Sequence, residues 1–455
     1  MNRIQLEVLP YSVAGGVIDS RDWFLRVRDL GYAIWLDSSH PYSQRGRFDI
    51  ISAAPLAVVA PEPGTDAFTA VQRALISTLN AEIAPSVDTQ AEALLELPFQ
   101  GGAIGLFGYE LGREIEGLAQ QSESDPPFPN LLVGIYSWAI ITDHLQRRTY
   151  LLIRPETPVA LRRELLARIH EQPALPNRFT LEKPWKHNFL QRDYTDAFKQ
   201  LQNYIRAGDC YQVNLARRFQ VRYEGDPLAA YLALRPVTAA PFSAYFESPD
   251  GAVLCLSPER LLSAQGRDLL TQPIKGTMAR AADAAVDQQR AQSLLASEKN
   301  RAENLMIVDL LRNDLGRSCE PGSIHVEQLF ELQSYATVHH LVSSITGKLR
   351  TDLHPVDALR NCFPGGSITG APKHRAMQII DELEPHSRSV FCGSIGYISV
   401  CGRMDTNITI RTLLAKSGQL FAWAGGGITA DSDCNEEFEE TRSKIEPLLR
   451  ALETL

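Results

Sequence analysis

Acidic residues in two helix-like segments are the first candidates for chemistry. Glu303 begins a segment that stays mostly apolar through Leu311, which predicts a buried helix whose carboxylate needs a cation or a donor nearby. Near the C-terminus, Glu437 and Glu440 are spaced to share one helix face. Magnesium prefers a few carboxylates together with water and an anionic substrate. The arrangement suits a magnesium ion, although an acidic helix taken by itself is more often simply solvated.

Two glycine-rich segments could bind an anion. Residues 365–373, with the sequence GGSITGAPK, predict a turn into a helix that begins at Pro372, where exposed amides can hold a carboxylate. Residues 425–427 predict a second amide-rich turn, and Arg411 on the preceding strand could clamp a carboxylate. Glycine turns also occur in plain hairpins, so both interpretations stay open. Neither segment matches a phosphate-binding P-loop.

Lys275 is the candidate nucleophile. It lies in the run QPIKGT between residues that restrict the backbone, and a lysine removed from water can attack as a neutral amine. An ordinary surface lysine is the alternative. The seven cysteines form no CxxC pair and no GxCxG elbow, so we interpret them as buried, reduced thiols. Glutamine hydrolysis is therefore expected to need another chain.

Helices and strands on both sides of residue 190 must position these groups. Proline-rich loops favour a boundary there, with 1–190 as a scaffold region intertwined with the main core and 191–455 as the catalytic region. Helical spacing predicts helices over 194–207, 300–315, 372–383 and 436–452. Apolar and alternating runs predict strands over 252–257, 335–349, 393–400, 406–415 and 419–424, several of which could pair antiparallel.

Charge and hydropathy exclude two broad classes of protein. The 54 acidic residues outnumber the 45 basic ones, and no Lys/Arg block could follow a phosphate backbone, which excludes nucleic-acid binding. Residues 1–24 lack the order of a signal peptide, and the most apolar segment, 131–142, is too short to cross a bilayer. We therefore expect a cytoplasmic protein.

Seven ordered segments resemble the chorismate-utilising enzymes, which include anthranilate synthase component I, aminodeoxychorismate synthase component I, isochorismate synthase and salicylate synthase. The likeness is strongest over residues 190–450. The segments are SPER at 257–260, PIKGT at 273–277, ENLMIVDL at 303–310, HHLVS at 339–343, GGSITGAPK at 365–373, IRT at 410–412 and a run from 427 to 441. The resemblance implies an α+β fold of two large packed antiparallel sheets surrounded by helices.

The resemblance also implies roles for individual residues. By position, Glu303 and Glu440 are similar to magnesium ligands, with Glu437 helping to hold bound water. Glu259 is similar to the acid that protonates the departing C4 hydroxyl, and His340 to a histidine beside the ring carboxylate and the pyruvyl group. The implied chorismate contacts are Gly276, Thr277, Ser367, Arg411 and the amides of Gly425, Gly426 and Gly427.

Two positions divide the reactions of this family. Lys275 stands where enzymes that aminate C4 usually have lysine and anthranilate synthases have alanine. Gln212 stands where isochorismate and salicylate synthases place a water-activating lysine, a role that an amide cannot fill. The resemblance implies conversion of chorismate and ammonia to 4-amino-4-deoxychorismate, for 4-aminobenzoate and folate biosynthesis. Lys275 would add at C2 while Glu259 helps to expel the C4 hydroxyl, and ammonia would then displace the lysine.

The remaining expectations concern partners and regulation. A separate glutamine amidotransferase subunit would supply the ammonia. Phe391 replaces a tyrosine that many family members have, which puts one carboxylate contact in question. Ser38 lies where some members bind tryptophan, beside residues 241–243. The alternatives are an anthranilate synthase component I and a catalytically silent protein that binds chorismate or a glutaminase.

Overall fold

The computed structural model of the chain describes residues 3–13, 16–17, 20–43, 45–62, 64–80, 90–119, 121–335 and 338–455. In chain order the strands are β1 (Gln5–Leu9), β2 (Ser12–Val13), β3 (Gly16–Val17), β4 (Ala33–Asp37), β5 (Phe48–Ser52), β6 (Ala57–Val58), β7 (Gly102–Phe107), β8 (Leu131–Tyr136), β9 (Trp138–Asp143), β10 (Arg148–Ile153), β11 (Phe179–His187), β12 (Gln212–Gly225), β13 (Phe242–Ser248), β14 (Gly251–Ser257), β15 (Arg260–Gln265), β16 (Asp268–Gln272), β17 (Ile274–Ala279), β18 (His325–Ser334), β19 (Val338–Lys348), β20 (Gly370–Ala371), β21 (Ser394–Ser399), β22 (Arg403–Asn407), β23 (Thr412–Lys416) and β24 (Gln419–Ile428).

The α-helices are α1 (Ser20–Val27), α2 (Ala67–Thr78), α3 (Gln90–Glu96), α4 (Leu111–Glu116), α5 (Val159–Arg168), α6 (Gln191–Ala207), α7 (Pro227–Thr238), α8 (Ala284–Ala296), α9 (Glu298–Gly316), α10 (Pro355–Cys362), α11 (Lys373–Leu383) and α12 (Cys434–Glu453). Short 3-10 segments cover Arg28–Leu30 and Gly366–Ile368. No helix in these described ranges is long and apolar enough to span a membrane.

Two large antiparallel sheets form the framework, which confirms the predicted fold class. The larger sheet has the order β1-β10-β9-β5-β4-β13-β14-β23-β24-β12-β11, with β20 paired to β12. The smaller sheet has the order β17-β19-β16-β15-β22-β21-β7-β8-β6, with β18 paired to β19. Strands from before and after residue 190 are neighbours in both sheets, as β4 is of β13 and β7 is of β21.

The main core lies between the two sheets. Side chains of a strand alternate between its faces, and β13 follows this rule. Ala244 and Phe246 belong to the cluster that also contains Leu262 and Ile395 of the smaller sheet. Tyr245 points the other way, into a second cluster formed with the helices α1, α5, α7 and α12. The larger sheet is thus covered on both faces.

Several predicted elements need correction. The single strand expected over 406–415 is two strands, because β22 belongs to the smaller sheet and β23 to the larger one. Residues 425–427 are not a turn but lie within β24, paired with β12. The segment 365–373 does not turn directly into a helix, since β20 intervenes and α11 begins at Lys373, with Pro372 as its N-cap.

Candidate active site

The chain crosses from one sheet to the other at two adjacent places, and both crossings carry predicted site residues. Pro258 and Glu259 connect β14 of the larger sheet to β15 of the smaller sheet. The link between β22 and β23 makes the reverse crossing and contains Arg411, whose φ is 50°. The amide of Ile408 donates to the Glu259 carbonyl at 3.0 Å, which joins the crossings. The prediction that Arg411 lies on a strand is therefore wrong, because Arg411 lies in the link between β22 and β23.

Lys275, Glu259 and Ser367 meet at the floor of a cleft. The Lys275 Nζ donates to the Ser367 carbonyl at 3.0 Å, and the Ser367 hydroxyl donates to Glu259 Oε1 at 2.8 Å. The Ile274 amide also donates to this carboxyl oxygen at 3.3 Å. The 3-10 turn that carries Ser367 therefore contacts both candidate catalytic side chains.

Burial moves the pKa values of these two groups towards each other. Burial raises the pKa of the Glu259 carboxyl, and the neighbouring Lys275 opposes that shift. Burial lowers the pKa of the Lys275 amine, and the carboxylates of Glu259 and Glu303 oppose that shift. Both shifts favour the uncharged forms, because low-polarity surroundings penalise charge. A neutral amine beside a protonated carboxyl can act as nucleophile and acid.

A β-bulge at Gly276 helps to place Lys275. Lys275 pairs with Leu341 and Thr277 with His340, so the register between β17 and β19 shifts at the glycine. Gly276 has a φ of 76°, which disfavours residues with a Cβ, and an added Cβ would lie 3.0 Å from Asn300 Cγ. The bulge therefore explains why glycine follows the candidate nucleophile.

His340 and Arg411 form a second wall of the cleft. His340 Nδ1 lies 2.8 Å from the Thr277 hydroxyl, and burial and the charge of Arg411 lower the pKa of His340 to about 3. The ring is therefore neutral at physiological pH. Burial also lowers the pKa of the Arg411 guanidinium. Among the described residues this guanidinium has no side-chain ion pair, which leaves it available for a substrate carboxylate.

The glycines of β24 are required by close packing rather than by a turn. A Cβ on Gly427 would lie 2.0 Å from Gln212 Nε2, and one on Gly426 would lie 2.9 Å from Glu437 Oε2. Gly425 lies beside them, and its carbonyl accepts from Lys444 Nζ at 3.0 Å. Gly425 and Gly427 also line the cleft.

The predicted magnesium ligands lie along the same cleft. Glu303 on α9 is partly exposed rather than buried as predicted, while Glu437 and Glu440 lie on α12. Ser432 donates to Glu437 Oε1 at 2.7 Å, and burial raises the pKa of this carboxyl. Burial would raise the pKa of Glu440 too, but Lys444 at 2.6 Å lowers it overall.

These carboxylates fit a divalent cation. Glu437 lines the cleft, and its Oε2 is buried without a hydrogen-bond partner within the described ranges. Glu440 and Glu303 add oxygens of the kind that magnesium prefers. The three are not close enough to form a three-ligand cluster in the part of the chain that the structure describes. An anionic substrate would have to complete such a site.

The cleft has a volume of about 880 Å³. Phe391 lines it and stacks on Trp423 with the ring centroids 6.3 Å apart and the planes at 7°. Phe391 thus supplies an apolar face, without a hydroxyl donor, to the cleft. Gln212 lies outside the cleft lining, fully buried, and its side-chain nitrogen and oxygen find no partner among the described residues.

A second cavity of about 400 Å³ lies near the predicted tryptophan pocket. Leu36, Pro241 and Ser243 line it, and it shares Pro258 and Ile274 with the catalytic cleft. Ser38 is buried beside it, with its amide donating to Asp49 Oδ1 at 2.7 Å. Ser38 itself does not line this cavity. Tryptophan binding there stays a prediction.

Comparisons with known proteins decide the family. A family profile described as chorismate binding enzyme matches residues 34–450. The chain belongs to this family. A similar member is aminodeoxychorismate synthase component 1 of Escherichia coli (strain K12), 46% identical over 440 residues that cover 95% of each chain.

Two solved structures of the family resemble the chain in fold. Anthranilate synthase component I from Streptococcus pneumoniae TIGR4 is 29% identical, with a TM-score of 0.76 over 90% of this chain and 93% of that one. The menaquinone-specific isochorismate synthase from Escherichia coli has a TM-score of 0.74 over 99% of this chain and 94% of that one. Because its identity is 20%, it shows the shared fold alone.

The structure adds site residues that the sequence analysis did not identify. Asn214 Nδ2 donates to the Ser367 carbonyl at 3.0 Å, the same oxygen that Lys275 contacts. Lys299 Nζ lies 4.0 Å from Glu437, and Lys444 pairs with Glu440. The spacing of four residues between Glu440 and Lys444 could have revealed that pair. Contacts to backbone carbonyls leave no such pattern.

Proposed function

We propose that the chain is the chorismate-aminating component of an aminodeoxychorismate synthase, which converts chorismate and ammonia to 4-amino-4-deoxychorismate. The supporting observation is the position of Lys275. Its amine lies at the cleft floor, has a lowered pKa, and is joined through Ser367 to the Glu259 carboxyl. An amine there is suited to attack a substrate ring, a role that alanine could not perform.

The proposed reaction has two displacements. Lys275 Nζ bonds to C2 of the ring, both ring double bonds shift, and the C4–O bond breaks with its electron pair. Glu259 gives its proton to the departing hydroxide, which leaves as water. Ammonia then bonds to C4, the double bonds return, and the C2–Nζ bond breaks with its electron pair returning to Lys275. The pyruvyl ether stays intact. The new C4–N bond leaves the nitrogen as an ammonium group with its three hydrogens, and transfer of one of these protons to the Glu259 carboxylate regenerates the acid.

Other groups bind and orient the dianionic substrate. Arg411 would pair with a chorismate carboxylate, and neutral His340 with Thr277 would contact the ring substituents. Gly276, Ser367 and the strand residues 425–427 would contribute backbone contacts. Glu303, Glu437 and Glu440 would hold magnesium, whose positive charge would offset the negative charge of these carboxylates and of the substrate.

Ammonia would come from a separate glutamine amidotransferase subunit. The name of the Escherichia coli relative as component 1 supports a second component, and the cysteines of this chain lack a nucleophile elbow. We further propose a cytoplasmic location. Free ammonium at high concentration should replace the partner in vitro.

The test uses the purified full-length chain with chorismate, Mg²⁺ and excess ammonium, with mass spectrometry of the product and an assay for pyruvate. We expect a product that keeps the enolpyruvyl group and carries nitrogen at C4. Lys275→Ala should lose this product, whereas Lys199→Ala, at a lysine that is 71% exposed, should keep it. Anthranilate with pyruvate from the wild type would overturn the proposal in favour of anthranilate synthase. Magnesium-dependent binding without turnover would instead indicate a silent protein.

A further inference from the structure

A buried ion pair lies directly behind the turn that carries Ser367. Glu384 follows α11, and Arg388 lies four residues later. Arg388 Nη2 donates to Glu384 Oε1 at 2.7 Å and Nε donates to Oε2 at 3.0 Å, a bidentate pair. The Arg388 and Glu384 side chains are 1% and 6% exposed, so this ion pair is buried. Burying it is costly unless its remaining donors and acceptors are satisfied.

Two further donors of Arg388 are used on backbone carbonyls beside the site. Nη1 donates to the Ile368 carbonyl and Nη2 to the Asn214 carbonyl, both at 2.9 Å. Ile368 is the neighbour of Ser367 in the 3-10 turn, and Asn214 lies on β12. Arg388 therefore connects that turn to a strand of the larger sheet.

Glu384 completes the connection from the other side. Its Oε1 accepts from the Ala216 amide of β12 at 2.8 Å. The side chain of Asn214 in turn donates to the Ser367 carbonyl at 3.0 Å, the acceptor of Lys275 Nζ. A continuous set of contacts thus runs from Glu384 through Arg388 to the two groups proposed to react.

We propose that Glu384 and Arg388, here called the Glu384–Arg388 clamp, are positioning residues that fix the Ser367 turn so that Lys275 and Glu259 share it in reactive geometry. The inference rests on the proposed function, because the reaction it serves occurs at Lys275. A positioning role differs from a purely structural role in one measurable respect. Loosening the clamp should move the reacting groups while leaving the Arg411 wall that binds the substrate.

The test compares steady-state kinetics of Glu384→Gln, Arg388→Gln and Arg388→Lys with a matched control. The control is Asp381→Asn, since Asp381 and Arg113 form another buried pair, with Nη2 and Oδ2 2.7 Å apart, and the Asp381 carboxylate also accepts from the amides of residues 121 and 122. That pair does not contact the Ser367 turn. All assays use the full chain with saturating Mg²⁺ and ammonium, at a temperature where each variant is folded by circular dichroism.

We expect kcat to fall by about 100-fold in Glu384→Gln and Arg388→Gln, the size of a misplacement by about 1 Å, with KM for chorismate changed less than about threefold. Arg388→Lys, which keeps the charge but not the bidentate geometry, should lie between them and the wild type. Asp381→Asn should lower the melting temperature and leave kcat unchanged. If Glu384→Gln or Arg388→Gln fails to fold, the test uses kcat and KM of Arg388→Lys relative to those of the wild type.

Equal losses of kcat in the clamp variants and Asp381→Asn would overturn the clamp, as would losses that appear only in KM. The proposed function fails separately, if the wild type releases pyruvate instead of retaining it. In that case the same comparison, between the change in kcat and the change in KM, is made on the reaction then observed. It still decides whether the clamp positions the site.

Discussion

At the scale of single residues, the charge of Glu259 controls the protonation of Lys275. The Glu259 carboxylate raises the pKa of Lys275, while burial lowers it by more. In Glu259→Gln the raising effect is gone, so the pKa of Lys275 should fall further below the value of about 10.4 for an ordinary lysine. Amination should nevertheless be lost, because the amide has no acidic proton for the C4 hydroxyl.

This prediction is checked by the rate at which an amine-reactive reagent labels Lys275 as a function of pH, read by peptide mass spectrometry. Lys199 in the same sample is the control, since its side chain is 71% exposed. An unchanged or higher labelling midpoint at Lys275 in Glu259→Gln would show that the two groups do not interact as the structure indicates.

Lys444 forms an ion pair with Glu440 and would therefore compete with magnesium for that carboxylate. Its Nζ lies 2.6 Å from Glu440 Oε1, and the two side chains are 43% and 46% exposed. In Lys444→Met the carboxylate is released and a like charge is removed from the cation site. Magnesium affinity without substrate should rise about two- to fivefold, the size expected for an ion pair this exposed.

Isothermal titration with Mg²⁺ measures this affinity, and electron paramagnetic resonance with Mn²⁺ gives an independent value. The control is Lys416→Met, whose amine lies 5.5 Å over the ring of Phe128 and does not line the cleft. Weaker magnesium binding in Lys444→Met would mean that the lysine holds α12 in place rather than competing for its carboxylate.

At the scale of elements, β24 must lie against β12 with no side chain at its glycines. Gly427→Ala would place a methyl group 2.0 Å from Gln212 Nε2 and 3.1 Å from Asn214 Oδ1. Because Gln212 is fully buried, relief requires displacement of β12, at a cost of about 1–3 kcal/mol in the free energy of unfolding. Amination should fall as well, since Asn214 contacts the Ser367 turn.

Chemical denaturation measures the free energy of unfolding for Gly427→Ala. Gly316→Ala is the control, because the nearest atom to its added Cβ would be 3.9 Å away and the site is a helix end. A loss of stability in Gly427→Ala that is no larger than in Gly316→Ala would contradict the packing explanation for the glycine run.

The sequence predicted helices and many strands well but not the places where the chain changes sheets. The strand predicted over 406–415 fails because alternation is a local pattern and continues on both sides of the crossing at Arg411. The run 425–427 was interpreted as a turn because glycine repeats are typical of turns. Here Gly427 makes room for Gln212, which is distant in the sequence, and Gly426 makes room for Glu437 of the following helix.

At the scale of the whole molecule, the resemblance to a family predicted which distant residues share a site, and the periodicity of the sequence could not. The residues now found around one cleft come from Lys275 on β17, Arg411 at a crossing and Glu440 on α12. No spacing rule joins segments so far apart. The Glu384–Arg388 clamp leaves no signal in the sequence for a related reason, because its partners are two backbone carbonyls and one backbone amide.

The boundary proposed near residue 190 leads to a prediction for fragments. Residues 191–455 alone would lack β4 beside β13 and β7 beside β21, and would expose apolar faces of both sheets. We expect this fragment to show no cooperative thermal unfolding, and co-expression with residues 1–190 to restore amination. Cooperative unfolding of 191–455 by itself, followed by circular dichroism, would show that the region folds independently.

The position of β23 and β24 in the larger sheet has a consequence for the order of assembly. This hairpin is synthesised long after β12 and β14, yet it lies between those two strands in the sheet. Until the hairpin is in place, β11, β12 and β20 are not paired with any other described strand of that sheet. Such distant pairing slows folding. The substrate cleft can therefore form only after the hairpin and α12 have been synthesised.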